Sequence, residues 1–289
     1  MRIKHYLSLV RFPHTIFALP FAAAGFFWGY KDVSPDVFPW SILAFVLLCM
    51  VFARNAAMGF NRYVDREFDA GNRRTSEREI PSGTISPKSA LIFVVINCAL
   101  FCFTAFFINR LTLYLSPIAL SIILGYSYTK RFTRLCHFVL GLSLSIAPTA
   151  AYISVTGHFS VVSILISCAV LFWAGGFDIL YALLDESFDK ENGLYSIPRY
   201  SGRRNAMILS SIAHVISASI ITYTGIIFER GFIYFTGVGV FIVLLIYQHL
   251  IIKPDNLKRL NEAFFTVNGI ASVCYASFTV ADLFVKQIE

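Results

Sequence analysis

Residues 61–69 read Asn61-Arg62-Tyr63-Val64-Asp65-Arg66-Glu67-Phe68-Asp69, closing a long apolar run that begins near Pro39 and opening a charged one. If the helix of that run continues through them, Asn61, Asp65 and Asp69 recur every fourth residue and project from one face, about one turn apart. Oxygen-bearing side chains stacked in this way suit a hard divalent cation of the Mg²⁺ kind, which takes oxygen ligands and keeps coordination for water or phosphate. Glu67 falls on another face. Seen alone, an acidic cluster just past a membrane helix also fits a solvated loop. A second cluster weighs against that reading: Asp185 and Asp189 repeat the spacing, and Asp178 and Tyr181 precede them on the same helical stripe. Two such ladders point to a diphosphate held between carboxylate groups by Mg²⁺.

The surroundings of these ladders are apolar. The chain of 289 residues is 57% hydrophobic and 14% charged, against roughly 45–50% and about 25% in an ordinary soluble domain. Helices of about 20 residues cross the hydrocarbon, and nine apolar segments of that kind begin near Thr15, Pro39, Ser89, Thr112, Cys136, Val161, Ala206, Phe232 and Phe264. The expected fold is therefore an all-α polytopic membrane protein with nine transmembrane helices in one bundle, a single domain over 1–289. The start, MRIKHYLSLVR, and the lack of a small-residue site behind the first apolar segment predict no cleavable signal peptide. Six cysteines lie in or beside apolar segments with no CxxC pair, as packing residues do.

A net charge of +7 could suit nucleic acid, but in a membrane chain the placing of cations tells more than their sum. With the N-terminus in the cytoplasm, 20 of the 24 Lys and Arg fall on one side, leaving Lys31, Arg110, Arg230 and Lys286 on the other. Both acidic ladders then face the cytoplasm of a bacterial inner membrane, with the lipid bilayer as partner and no nucleic acid. Nine crossings put the C-terminus outside.

Several other side chains carry chemistry at membrane depth or at its rim. Arg54 sits within the last turns of the second apolar segment, where a cation is costly unless it faces a cavity or partner. The loop after the first ladder holds Arg74 and Arg78, donors that suit phosphate oxygens but that also serve topology. Tyr126 and Lys130 share a helix face, so the ring could shield a carbocation and the ammonium could neutralise a leaving diphosphate; interfacial anchoring is the other reading. Arg11, before the first span, suits either lipid anchoring or an anionic acceptor. Asp178 at the end of an apolar run reads as functional, and Gly175-Gly176 allow another helix close. His214, His249 and Asn268 read as packing or hydrogen-bonding residues. Between Arg54 and Arg11, the former is favoured for an acceptor carboxylate, lying about 10 Å along the helix from Asn61.

These motifs resemble the UbiA superfamily of intramembrane aromatic prenyltransferases. The resemblance rests on NxxxDxxxD at Asn61, Asp65 and Asp69; RTxxR at Arg74, Thr75 and Arg78; PSG at Pro81; YxxxK at Tyr126 and Lys130; and DxxxD at Asp185 and Asp189, preceded by Asp178 and Tyr181. It implies a central cavity, with catalytic loops about 61–88, 126–134 and 178–204. It also implies Mg²⁺ as cofactor, a polyprenyl diphosphate donor and an aromatic acid acceptor. The bundle is most similar to the 4-hydroxybenzoate polyprenyltransferases of ubiquinone synthesis. HTIFALPFA, FNRYVDREFDAGNRRT and KRFTRLCHFVLG resemble instead a sub-branch linked to menaquinone made through futalosine, whose acceptor would be 1,4-dihydroxy-6-naphthoate. The family's RLDKPIG is replaced by Arg11-Phe12-Pro13-His14-Thr15-Ile16-Phe17, which keeps only an arginine and an isoleucine. Mg²⁺ on Asn61, Asp65, Asp69, Asp185 and Asp189, with Arg74, Arg78 and Lys130 on the diphosphate and Arg54, Arg11, Asp178 and Tyr181 near the acceptor, is the expected site. A transporter is the alternative of another class, but no inverted repeat with broken helices is visible. A UbiA-type enzyme with another lipid-quinone or haem acceptor is a second, and nothing suggests a tetrapyrrole site.

Overall fold

Turn-forming residues decide where the long helices start. Ser86 accepts a hydrogen bond from the Ser89 N–H and Asn109 accepts one from the Thr112 N–H, each capping the first turn that follows. Pro87 and Pro198 stand at first-turn positions, where a missing N–H costs nothing. The computed structural model describes residues 3–10 and 17–285. Among these the chain is helical, with no strand.

A short α1 (Ile3–Val10) lies against the later helix Trp40–Val64 and the 79–86 loop. Then come α2 (Leu19–Val33), α3 (Trp40–Val64), the six-residue α4 (Arg66–Gly71), α5 (Pro87–Phe106) and α6 (Arg110–Thr129). The second half holds α7 (Cys136–Thr156), α8 (Val161–Tyr181), the six-residue α9 (Glu186–Glu191), α10 (Ile197–Ile227), α11 (Phe232–Ile251) and α12 (Asn268–Val285). A π-helix, Glu262–Val267, leads into α12.

Eight helices of the described residues are long and apolar enough to cross a membrane. The nine expected crossings are corrected at the first. Its counterpart α2 has 15 residues, a rise of about 22 Å, short of a hydrocarbon core of about 30 Å. The residues that would lengthen it, 11–16, lie outside the described ones, and so does Arg11.

Helices α2, α7, α8, α10, α11 and α12 touch in a closed circuit, with α3, α5 and α6 joined to it through α6 and α7. Trp173, Tyr152, Tyr234, Tyr275 and Phe21 fill the circuit and are essentially inaccessible. Lipid is as apolar as these rings, so close packing and hydrogen bonds, not water exclusion, hold such helices together. Gly175 and Gly176 show this. A methyl group at Gly175 would lie 2.7 Å from the Phe138 ring, and one at Gly176 2.5 Å from His214, so both glycines admit neighbouring helices as the sequence suggests. The outer faces keep Ile92, Val95, Phe103 and Val215 exposed, a pattern suited to lipid and unfavourable in water. All six cysteines are free.

Candidate active site

The two acidic motifs do not continue their helices. Asp65 has φ −89°, ψ 6° and ends α3, and α4 starts on its far side. Asp185 has φ −106°, ψ 7°, closing a 3-10 turn (Ala182–Asp185) that follows α8 and opening α9. Both therefore correct the reading of ladders on unbroken helices. Each break lies in the sparsely populated bridge region of backbone space, and each turns its second aspartate inward. Asp69 is 6% exposed and Asp189 0%.

The breaks gather carboxylates and cations at one end of a cavity of about 300 Å³. Four aspartates are matched by four cations. Arg131 Nη2 lies 3.4 Å from Asp65 Oδ1, Arg78 Nη1 2.6 Å from Asp69 Oδ1, Arg74 Nη2 2.5 Å from Asp185 Oδ2, and Lys130 Nζ 2.7 Å from Asp189 Oδ1. Asn61 donates to Asp65 Oδ2 at 3.0 Å, and Asn72 donates to Asp185 Oδ1 at 3.2 Å. Arg74 also donates to the Tyr181 hydroxyl at 3.3 Å. The first motif, the second motif and the α6–α7 loop are thus tied into one charged rim. Glu67 stands apart, paired with Arg66 and exposed.

Burial pushes the Asp65 carboxyl up to about 6, the nearby Asp69 charge adds to the rise, and Arg131 opposes it. Burial pulls Lys130 down, but Asp189 beside it more than offsets this and holds the ammonium above its ordinary range. Arg74 is raised in the same way: burial lowers it and Asp185 more than offsets that.

Among the described residues, no three His, Cys, Asp or Glu side chains form a ready-made metal cage. The donor set nevertheless fits a hard cation. Asp69 Oδ2 and Asp189 Oδ2 are buried acceptors that receive no hydrogen bond, an expensive condition that a cation would relieve. Asp189 is set behind Lys130, away from the cavity lining, whereas Asn61, Asp65, Asp69 and Asp185 line it.

Below the rim the wall turns aromatic. Tyr126 and Arg54 line the cavity together with Phe17, Phe177, Phe264 and Phe265. Tyr181 and Phe264 ring centroids are 4.1 Å apart, and Phe264 and Phe265 4.6 Å. Both phenylalanines come from the π-helix before α12. Asn268 donates to the carbonyls of Ala263 and Phe264, and its Oδ1 accepts from Trp173 Nε1 at 3.1 Å. The hydrogen-bonding reading of Asn268 is met. A second pocket of about 160 Å³, predominantly apolar, shares Arg54, Tyr126, Leu140 and Leu144 with the first. Arg54 Nε is buried without a partner.

Sequence reasoning overlooked Asn72, Arg131, His137 and the Phe264–Phe265 pair. Asn72 and Arg131 adjoin motif residues and could have been found by extending each motif by a few positions. His137 lines the cavity and lies 2.7 Å from Asp178 Oδ2 through Nδ1. The two phenylalanines sit in an apolar run and give no signal of their own.

Residues 18–270 match the UbiA prenyltransferase family. The 4-hydroxybenzoate octaprenyltransferase of Nitrosomonas europaea is 30% identical over 287 residues, covering 98% of this chain and 96% of its own length. That of Aliivibrio fischeri is 28% identical, covering 96% and 92%. A UbiA homologue from Aeropyrum pernix in its apo form superposes with a TM-score of 0.79 at 25% identity, over 95% of this chain and 98% of that one. A UbiA homologue from Archaeoglobus fulgidus bound to DMAPP and Mg²⁺ gives 0.74 at 24%, over 97% and 99%.

Proposed function

The chain belongs to the UbiA prenyltransferase family, and on that premise we propose that it transfers a polyprenyl group from its diphosphate to a ring carbon of a hydroxyaryl acid, releasing diphosphate. One observation carries this reading. A rim of paired aspartates and cations opens onto an aromatic cavity, and that cavity shares its wall with an apolar pocket. A diphosphate, a carbocation and an isoprenoid tail each need one of these three surroundings.

Asp65, Asp69 and Asp185, with Asn61 assisting, would hold Mg²⁺, which is bound together with DMAPP by the Archaeoglobus fulgidus homologue, and Asp189 would join them on releasing Lys130. When bound, Mg²⁺ supplies charge withdrawal from the leaving oxygens. Arg74, Arg78 and Lys130 exchange their carboxylate partners for phosphate oxygens, which Arg forks match well. Tyr126, Tyr181 and Phe264 present ring faces to the allylic cation, and Arg54 meets the acceptor carboxylate, since an unpaired buried anion is costly.

The acceptor is 4-hydroxybenzoate or 1,4-dihydroxy-6-naphthoate, in ubiquinone or menaquinone synthesis. The relatives' names support the first, and the altered residues 11–17 support the second. The whole chain acts as one catalytic domain in a bacterial inner membrane with the charged rim toward the cytoplasm, as its cation distribution supports. Purified protein in lipid, given Mg²⁺ and a long-chain donor, is expected to prenylate one of the two acids, with equimolar diphosphate release. Formation of no prenylated arene from either acid overturns the reading, and solute uptake without diphosphate release would favour a transporter.

A further inference from the structure

Four carboxylates line the main cavity, and three of them, Asp65, Asp69 and Asp185, are each paired with an arginine. The fourth, Asp178, is not. Its Oδ2 lies 2.7 Å from His137 Nδ1, and its side chain is 24% exposed while that of His137 is 3%. The other ring nitrogen, His137 Nε2, accepts from the Ile197 N–H at 3.3 Å, at the first turn of α10. With the Ile197 N–H at Nε2, Nδ1 is the ring nitrogen that donates to Asp178 Oδ2, which leaves Oδ1 as the oxygen His137 does not touch. Asp178 is thus the cavity carboxylate with no guanidinium across its face, and it is held from one side only.

Position points the same way. Asp178 precedes Asp185 by seven residues in α8 and its continuing turn, about 10 Å along the helix, away from the charged rim and beside Phe177 and Tyr181. That is the depth of the aromatic wall, where an acceptor ring would lie. We propose that Asp178 is the base that removes the proton from the prenylated ring carbon, and that His137 is the positioning residue that aims it.

The step balances. The allylic C–O bond breaks and its electron pair leaves on diphosphate. A ring π pair forms the new C–C bond. The C–H pair then returns to the ring, and the proton passes to Asp178 Oδ1, the oxygen His137 does not touch. Asp178 later releases it to water or diphosphate. His137 neither gains nor loses a proton, because both of its nitrogens stay committed.

This inference rests on the proposed aryl prenyl transfer and is tested with an acceptor deuterated at its reactive ring carbons. Wild type is expected to show no isotope effect on kcat, because proton loss that restores the aromatic ring is fast with a base in place. Asp178→Asn is expected to lower kcat by about 10²-fold or more, to develop a normal isotope effect, and to leave the acceptor KM nearly unchanged. His137→Leu loses about tenfold and develops the same effect. His137→Gln, whose amide still donates, and Asp178→Glu recover most of the rate. Retained melting behaviour excludes a folding defect, and if Asp178→Asn does not fold, the two His137 variants decide the matter. An acceptor KM raised in Asp178→Asn with kcat and isotope response unchanged overturns the inference and makes Asp178 a binding group. Wild-type rates in Asp178→Asn overturn it as well. Absence of any prenylated arene from wild type is a separate result, which sinks the reaction itself.

Discussion

Asp65 and Asp185 share one backbone conformation, φ −89° and ψ 6° against φ −106° and ψ 7°, and each opens a six-residue helix, Asp65 directly after α3 and Asp185 after the 3-10 turn that follows α8. The two motifs are therefore the same device used twice: a break that leaves the first aspartate on the cavity and swings the second inward. Asp65→Ala and Asp185→Ala are each expected to lower turnover by about 10²–10³-fold while the protein still folds. Partly exposed carboxylates contribute little packing. Initial rates of prenylated product, with melting curves as control, check this.

Asp189 behaves differently. A rim carboxylate should be removable at little cost to folding, but Asp189 is fully buried against Lys130. Asp189→Ala strands the Lys130 ammonium. The expected cost is about 2–3 kcal/mol, reduced from the fully buried case because Lys130 keeps about a third of its surface. Asp189→Ala should therefore lose both activity and melting temperature, whereas Asp185→Ala loses activity alone.

The pH dependence of metal binding follows from Asp65. Its carboxyl is pushed up to about 6, so the folded protein takes up a proton there as pH falls through 6, while the unfolded chain does so only near the ordinary value of about 3.9. A proton and Mg²⁺ compete for the same oxygens. Apparent Mg²⁺ affinity is expected to be flat above pH 7 and to fall about tenfold per unit below 6. Mg²⁺ titrations of diphosphate release at several pH values measure this, and Asp65→Asn should flatten the profile.

Arg54 lines both pockets and keeps a buried Nε without a partner. Arg54→Ala is expected to raise the acceptor KM at least tenfold, the loss of roughly one charged hydrogen bond, with the donor KM nearly unchanged. A shift of the acceptor KM in Arg11→Ala instead would move the carboxylate site to the N-terminal segment.

Much of the site could be read from spacing because charged residues in an apolar chain are costly and hence conspicuous. Asp65, Asp69, Arg74, Arg78, Lys130 and Asp185 all meet where the motifs suggest. The breaks at Asp65 and Asp185 could not be read, since a single bridge-region residue carries no pattern of its own. Nor could the burial of Asp189, which depends on α9 folding back. Phe264 and Phe265 were invisible for the opposite reason: in a chain with 29 Phe, two of them in an apolar helix look like packing.

The π-helix before α12 has an evolutionary consequence. A π-turn carries one residue more than an α-turn, and here that surplus brings two adjacent phenylalanines to the same wall. Deleting one residue between Glu262 and Val267 would restore regular winding and rotate everything upstream by about 100°, withdrawing an aromatic face in a single step. Homologues could thus remodel the acceptor's surroundings by gaining or losing a codon, with every charged motif left untouched. An alignment that forces a gapless last helix would miss that change.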